Sequence, residues 1–161
     1  MPLLDRNGWA TDAFRRDDSA AAAVIVPLDL LGAALAARSP GQRVGVDLPN
    51  ATAPEALSAV QDQLDLVAVA FPKFSDGRGF SLGRALREQG YAGRLRATGP
   101  LIPDQFAFAL QCGFDELEIS DEQAARQPVD QWLHALQIVD VSYQDGADGT
   151  PSIFKQRAAA R

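Results

Sequence analysis

Short apolar segments alternate with amphipathic segments along most of the chain. The apolar segments have the length and composition of strands, and they cover residues 24–26, 44–48, 66–71, 94–98 and 116–119. Between them, apolar side chains recur every three or four residues, which is typical of helices that pack by one face. Strands that alternate with helices predict repeated βα units with right-handed crossovers, and therefore an α/β fold with a parallel five-stranded sheet.

The two ends of the chain depart from this repeat. Asn7 and Gly8 lie between apolar residues and both tolerate positive φ, so they predict a small N-terminal hairpin. A polar link follows, and hairpin and link together occupy residues 1–20. The last residues, 145–161, are polar and end in alanine and arginine, which predicts a mobile tail. We therefore predict a single α/β domain over residues 1–144.

Polar positions inside the predicted strands leave two architectures open. Strands that are covered by helices on both faces are apolar throughout. Here, three strands alternate polar with apolar residues, at Arg43, Gly45 and Asp47, at Arg94 and Arg96, and at Glu116 and Glu118. These strands are either the edges of a three-layer sheet, or parts of a partial-barrel-like sheet whose helices cover one face only. We slightly prefer the partial barrel.

Composition and charge narrow the class of protein. The 161 residues suffice for one domain with a proper core, and the net charge of −6 argues against a nucleic-acid binder. The chain has no run of about 18 apolar residues, so no membrane span is predicted. The N-terminus lacks the basic-then-apolar pattern of a secretion signal, and the single cysteine cannot form an internal disulfide. These features predict a cytoplasmic protein.

Few residues are available for metal binding or nucleophilic catalysis. His134 is the one histidine of the chain, so a multi-histidine metal site or a Ser-His-Asp triad has little material, and we predict no metal site. Cys112 precedes Gly113 at the end of a predicted helix. Because a helix C-terminus and burial both disfavour a thiolate, this position predicts a buried, unreactive thiol.

The densest set of candidate ligand-binding residues follows the third strand, in residues 71–81. Ser81 is expected to cap the helix that follows, and a helix start offers unpaired N–H groups and a partial positive charge. Lys73 and Arg78 add two cations, which predicts an anion site. We include the side chains and glycines that we expect at this edge of the sheet: Lys73, Asp76, Gly77, Arg78, Gly79, Ser81, Arg84, Asp104 and Gln105.

A purely structural interpretation of the same loop stays open. Asp76-Gly77 is a common turn pair, and Gly79 can serve only to let the loop bend. Arg78 and Arg84 can be solvated surface residues, and Asp104 can complement the dipole of its own helix. The spacing matches neither a dinucleotide fingerprint nor a phosphate-binding P-loop.

The loop and the segments after it resemble one bacterial family. The matching residues are 71–81, Arg84, Leu86-Arg87, Gly90-Tyr91, Gly93, 95–99, Asp104-Gln105 and 112–115. That family consists of uncharacterised proteins encoded beside the assimilatory sulfite reductase, and its members are often labelled as oxidoreductases of sulfite reduction. The resemblance extends over about residues 20–140. One departure is Pro100, because the family commonly has aspartate or asparagine after the glycine that corresponds to Gly99.

The resemblance implies a role in assimilatory sulfite reduction, which supplies sulfide for cysteine synthesis. Three roles are compatible with it: an accessory protein that binds a small oxyanion or a phosphorylated ligand, an oxidoreductase with Lys73 and Asp76 as candidate catalytic groups, and a scaffold without a ligand. The implied partners are sulfite reductase or its redox partner, and a homo-oligomer is compatible with the sequence. The chain has no iron–sulfur or nicotinamide motif, which favours the accessory role, whereas flavin motifs are too irregular to judge.

Overall fold

The computed structural model describes residues 1–16 and 18–138, so the predicted tail lies outside the described residues. Seven strands and five α-helices occur within this part of the chain. The strands are β1 (Leu3–Asp5), β2 (Gly8–Ala10), β3 (Ala23–Pro27), β4 (Arg43–Leu48), β5 (Leu66–Ala70), β6 (Arg94–Thr98) and β7 (Glu116–Glu118). The helices are α1 (Leu31–Ala36), α2 (Arg78–Glu88), α3 (Pro103–Gln111), α4 (Asp121–Arg126) and α5 (Val129–Ile138), and short 3₁₀ turns occupy Leu28–Leu30, Pro54–Leu57 and Gln61–Gln63.

All seven strands form one sheet in the order β2-β1-β7-β6-β5-β4-β3. The five predicted strands are β3 to β7, and each pairs in parallel with its neighbour as expected. The predicted hairpin is also present, but its turn lies one residue earlier than predicted, because Asp5 pairs with Gly8 and the turn residues are Arg6 and Asn7. Of the predicted turn pair, Gly8 alone has a positive φ. The hairpin strand β1 adds to β7 in antiparallel, with Leu4 opposite Leu117. The sheet is therefore mixed and seven-stranded, and the expectation of a five-stranded sheet is corrected in this respect.

One face of the sheet is apolar and carries all the described helices. Val46, Val67 and Leu95 lie side by side across β4, β5 and β6, and belong to the main core. Each helix adds apolar side chains to that same core, among them Leu31, Leu86, Phe106, Ala124 and Trp132. Because the helices cover this face only, the three-layer arrangement is wrong. The polar strands β6 and β7 are also interior strands of the sheet rather than its edges.

The opposite face is covered by the N-terminal link. Arg15 forms a parallel bridge with Val24 at the edge of β3, which holds the link against the sheet. Phe14 packs with Ala23, Ile25 and Leu66 in a small second cluster. Towards β6 and β7 this face is polar, as the partial-barrel-like alternative predicts, but the sheet stays open. Among the described residues, no helix combines the length and apolar character that crossing a bilayer requires.

Candidate functional site

Arg78, the central cation of the predicted anion site, is already paired within its own loop. Its Nε lies 2.9 Å from Asp76 Oδ1 and its Nη2 lies 2.7 Å from Asp76 Oδ2. The hydrogen bonds from Arg78, together with the neighbouring Asn50 amide, hold the pKa of Asp76 far below its usual range. The pair is solvent-exposed on the arginine side. An incoming anion must therefore compete with an ionised carboxylate for Arg78.

Lys73 has no partner in this region, and Asn50 lies beside Asp76 without a hydrogen bond of good geometry. The Lys73 side chain is exposed, and it makes no hydrogen bond or ion pair within the described part of the chain. Asn50 follows β4 and is 7% exposed, yet its Nδ2 has no hydrogen-bond partner of good geometry among the described residues. A buried amide without a well-formed hydrogen bond is unusual, because such a group loses its hydrogen bonds to water. These two donors keep an anion site chemically feasible without Arg78.

The two glycines of the loop have different roles. A Cβ on Gly79 would collide with the ring of Phe71, so this position needs glycine for packing. The ring of Phe71 in turn packs against that of Phe80 in a tilted arrangement, with 4.8 Å between the ring centroids. A Cβ on Gly77 would meet open space, and Gly77 is the N-cap of α2. Ser81 therefore lies inside α2 and does not cap it, which corrects the predicted helix start.

Of the candidate residues outside the loop, Gln105 holds the loop in place, whereas Arg84 pairs within its own helix. The Gln105 side chain accepts a hydrogen bond from Ile102 N and donates one to Phe74 O at 2.8 Å. Gln105 therefore ties the start of α3 to the loop. Arg84 is paired with Glu88 one turn further along α2. Asp104 is exposed in the first turn of α3.

The same loop exposes an aromatic side chain that the sequence analysis did not single out. Phe74 is 57% exposed, and its carbonyl is fixed by Gln105. Phe108 lies one helical turn after Gln105 and is half-exposed, with its ring 4.9 Å from that of Phe80. We call Lys73, Phe74, Arg78 and Phe108 the Phe74 surface. The available signal was an aromatic residue between Lys73 and Ser75, in the polar part of the loop.

A charged network lies on the polar face of the sheet, and the sequence predicts only part of it. Arg96 is completely buried, and it pairs with Glu116 at 2.8 Å, Glu118 at 3.0 Å and Asp12 at 2.7 Å. The alternation in β6 and β7 predicts that Arg96, Glu116 and Glu118 share a face. Asp12 lies 84 residues before Arg96, and no pattern in the sequence joins the two.

Arg16 extends this network towards the carboxyl end of the sheet. Its guanidinium pairs with Glu118 at 2.6 Å and with Asp47 at 2.8 Å. Burial pushes the pKa of Glu118 upwards, but the hydrogen bonds and charges of Arg16 and Arg96 outweigh it, and the pKa is lowered. With three arginines and four carboxylates, the charged network is Asp12, Arg16, Asp47, Arg94, Arg96, Glu116 and Glu118.

The chain matches the model of a known protein family. A family model described as "Bacterial protein of unknown function (DUF934)" matches residues 45–154, which is more than half of the chain. The chain belongs to the DUF934 family. The expectation of an uncharacterised bacterial family is thereby confirmed, while its link to sulfite reduction stays a prediction. No curated protein matches the chain significantly.

The region shared with the DUF934 model contains the whole Phe74 surface and most of the charged network. Asp12 and Arg16, which complete the network from the N-terminal link, lie before the matched residues. Cys112 is buried as expected, and burial raises the pKa of its thiol to about 11, so it is protonated near neutral pH. Among the described residues of this DUF934 protein, no group of histidine, cysteine or acidic side chains is arranged to hold a metal ion.

Proposed function

We propose that this DUF934 protein is a non-catalytic accessory component of assimilatory sulfite reduction, and that it docks on sulfite reductase or its redox partner through the Phe74 surface. The observation that carries the proposal is the exposed Phe74 ring in the very loop that resembles the sulfite-reduction family. The pathway itself rests on the resemblance.

An exposed ring on a braced loop is physically suited to docking. Burying an aromatic side chain of 150–250 Å² is worth about 4–6 kcal/mol at about 25 cal/mol per Å², before the costs of association. Phe74 is 57% exposed, so roughly half of that gain is available to a partner. The hydrogen bond from Gln105 to Phe74 O holds the loop, so little ordering of the loop is required on binding.

The cations beside the rings define the character of the partner surface. Lys73 has no ion pair among the described residues, whereas Arg78 forms an ion pair with Asp76. Cations at the rim of an interface mainly accelerate association with an acidic surface, and this effect weakens with salt. We therefore propose an apolar recess with an acidic rim as the complementary site on the reductase or its redox partner.

Binding of the purified protein to immobilised sulfite reductase and to its redox partner tests this function. We expect Phe74→Ala to weaken the complex at least about tenfold, because aromatic anchors dominate interface energetics. Lys73→Ala should lower mainly the association rate, and its effect should shrink at high salt.

Leu30→Ala is the matched control, because Leu30 is also a large apolar side chain and is 53% exposed, but it lies in the turn after β3. It should bind like the wild type. Absence of binding to both partners, or equal binding by Phe74→Ala, would contradict the docking role. A flavin-like visible spectrum of the purified protein would instead favour the oxidoreductase role.

A further inference from the structure

An open cavity of about 700 Å³ lies at the carboxyl ends of four parallel strands. Pro27, Asp47, Ala70 and Thr98 line it, and they lie at or next to the ends of β3, β4, β5 and β6. In parallel α/β sheets this edge is where ligands bind, because the βα loops gather there. The volume is within the range of small-molecule sites, about 300–1,000 Å³. None of the lining residues belongs to the Phe74 surface.

The walls of the cavity are mostly apolar. Six of the ten lining residues are apolar, namely Met1, Pro27, Leu28, Leu48, Pro49 and Ala70. Among the polar ones, Thr98 has a buried Oγ1 without a hydrogen-bond partner in the described part of the chain. Buried hydroxyls are normally paired, so this one is available to a ligand or a water molecule after rotation of the side chain. A ligand for this cavity therefore needs an apolar body.

The charges at the cavity disfavour an anion. The guanidinium of Arg16 is engaged by both Asp47 and Glu118, so its charge is already matched. Asp29 is exposed at the cavity, and it makes no hydrogen bond or ion pair within the described residues. The lining side chains are one guanidinium and two carboxylates, and the α-ammonium of Met1 lies 3.8 Å from Asp121, which does not line the cavity. A cationic nitrogen would find a free carboxylate in Asp29, whereas an oxyanion would meet repulsion.

We infer that this cavity binds a small organic amine, with the ammonium group at Asp29 and the apolar body between Leu28, Leu48 and Ala70. The ligand class is opposite in charge to the oxyanion that the loop of residues 71–81 predicts. The inference does not depend on docking through the Phe74 surface, and failure of either leaves the other intact.

Three probes with one apolar body separate charge from shape: 3-methylbutylamine, 3-methylbutanol and 3-methylbutanoate. Titration of the ¹⁵N-labelled full chain at constant ionic strength should shift the backbone amides near Leu28, Leu48 and Ala70. We expect the amine to bind at millimolar concentration, the alcohol more weakly, and the acid not at all. Binding of the acid as tight as that of the amine, or shifts confined to other residues, would overturn the inference.

Two variants test the residues. Asp29→Asn should weaken the amine about threefold to fivefold, the range of a partly exposed ion pair, and leave the alcohol unchanged. Asp62→Asn, at another exposed carboxylate in the turn Gln61–Gln63, is the matched control and should change nothing. Ala70→Leu should fill the cavity and abolish binding of amine and alcohol. Unchanged amine binding in Asp29→Asn would refute the role of this carboxylate, whether or not Ala70→Leu folds.

Discussion

The two faces of the sheet bury their residues by different physics. Leu95 and Arg96 are neighbours in β6, and both are completely buried. Leu95 packs into the main core with Val67 beside it, so its burial is favourable in itself. Arg96 is buried among Asp12, Glu116 and Glu118, where its charge is tolerated only because nearly every N–H has an acceptor.

This difference determines how each face responds to change. Loss of an apolar side chain leaves a cavity, and the cost is graded by how well the neighbours collapse. Loss of Arg96 leaves Glu116 and Glu118 buried with one counter-charge fewer, so that Arg94 and Arg16 are the arginines still paired with them. The charged face should therefore tolerate fewer substitutions than the apolar face.

The largest expected effect is that of Arg96→Met. Removing one partner of a buried ion pair costs about 3–5 kcal/mol, so we expect a loss of this size in the free energy of unfolding, measured with urea. Leu95→Ala should cost about 2–5 kcal/mol through the cavity alone. Arg94→Ala is the charge control, since this side chain is largely exposed and should contribute about 1 kcal/mol or less. A loss below about 1 kcal/mol for Arg96→Met would show that the charged face does not depend on this buried cation.

Gly79→Ala tests whether the loop at the helix-covered face is held by packing. The added Cβ would collide with the Phe71 ring, and overpacking of this kind costs about 1–3 kcal/mol. Gly77→Ala is the matched control two residues earlier, where the added methyl meets open space, and it should cost less than about 1 kcal/mol. Equal unfolding midpoints for the two variants would show that Phe71 does not require glycine at residue 79.

Acid should weaken the ion pairs of the charged face and leave the packing of the apolar face unaffected. The pKa values of Glu118 and Asp12 are lowered from ordinary values of 4.5 and 3.8, so the unfolded chain binds more protons in acid. Their contribution is therefore complete near neutral pH and is lost as the pH falls below about 5. We expect a flat urea midpoint between about pH 6 and 8 and a fall towards pH 3. Arg16→Gln should make that fall shallower, and a midpoint that rises in acid would contradict the assignment.

The smallest expected effect concerns the exposed pair of Asp76 and Arg78. Asp76→Asn should release the arginine and tighten binding of sulfite or sulfate about threefold to fivefold, as measured by calorimetry, while Lys73→Ala should weaken it. The same titrations with adenylylated sulfate test a phosphorylated ligand. Absence of heat at millimolar ligand in both the wild type and Asp76→Asn would remove oxyanion binding by this loop.

Much of the fold could be predicted because its signals are local. The apolar segments that became β3 to β7 and the turn before Gly8 depend on neighbouring residues, and all of them are confirmed. The addition of β1 to β7 could not be predicted in the same way. It requires Leu4 to meet Leu117, a contact between distant residues that competes with many equivalent pairings.

The candidate site was predictable in location but not in its interactions. The loop after the third strand does lie at the start of α2, yet the pairing of Arg78 with Asp76 depends on the backbone path between them. The need for glycine at residue 79 depends on the Phe71 ring, which only the packed core positions there.

The sequence by itself determined the repeated βα units, the polar alternation of β6 and β7 and the cation-bearing loop, since each depends on residues a few positions apart. The tertiary structure alone decided that the helices cover one face and that Asp12 and Arg16 cross the other. It also decided that Phe74 stays exposed. The physical reason is that buried charges and packed rings depend on partners that chain folding brings from far along the sequence.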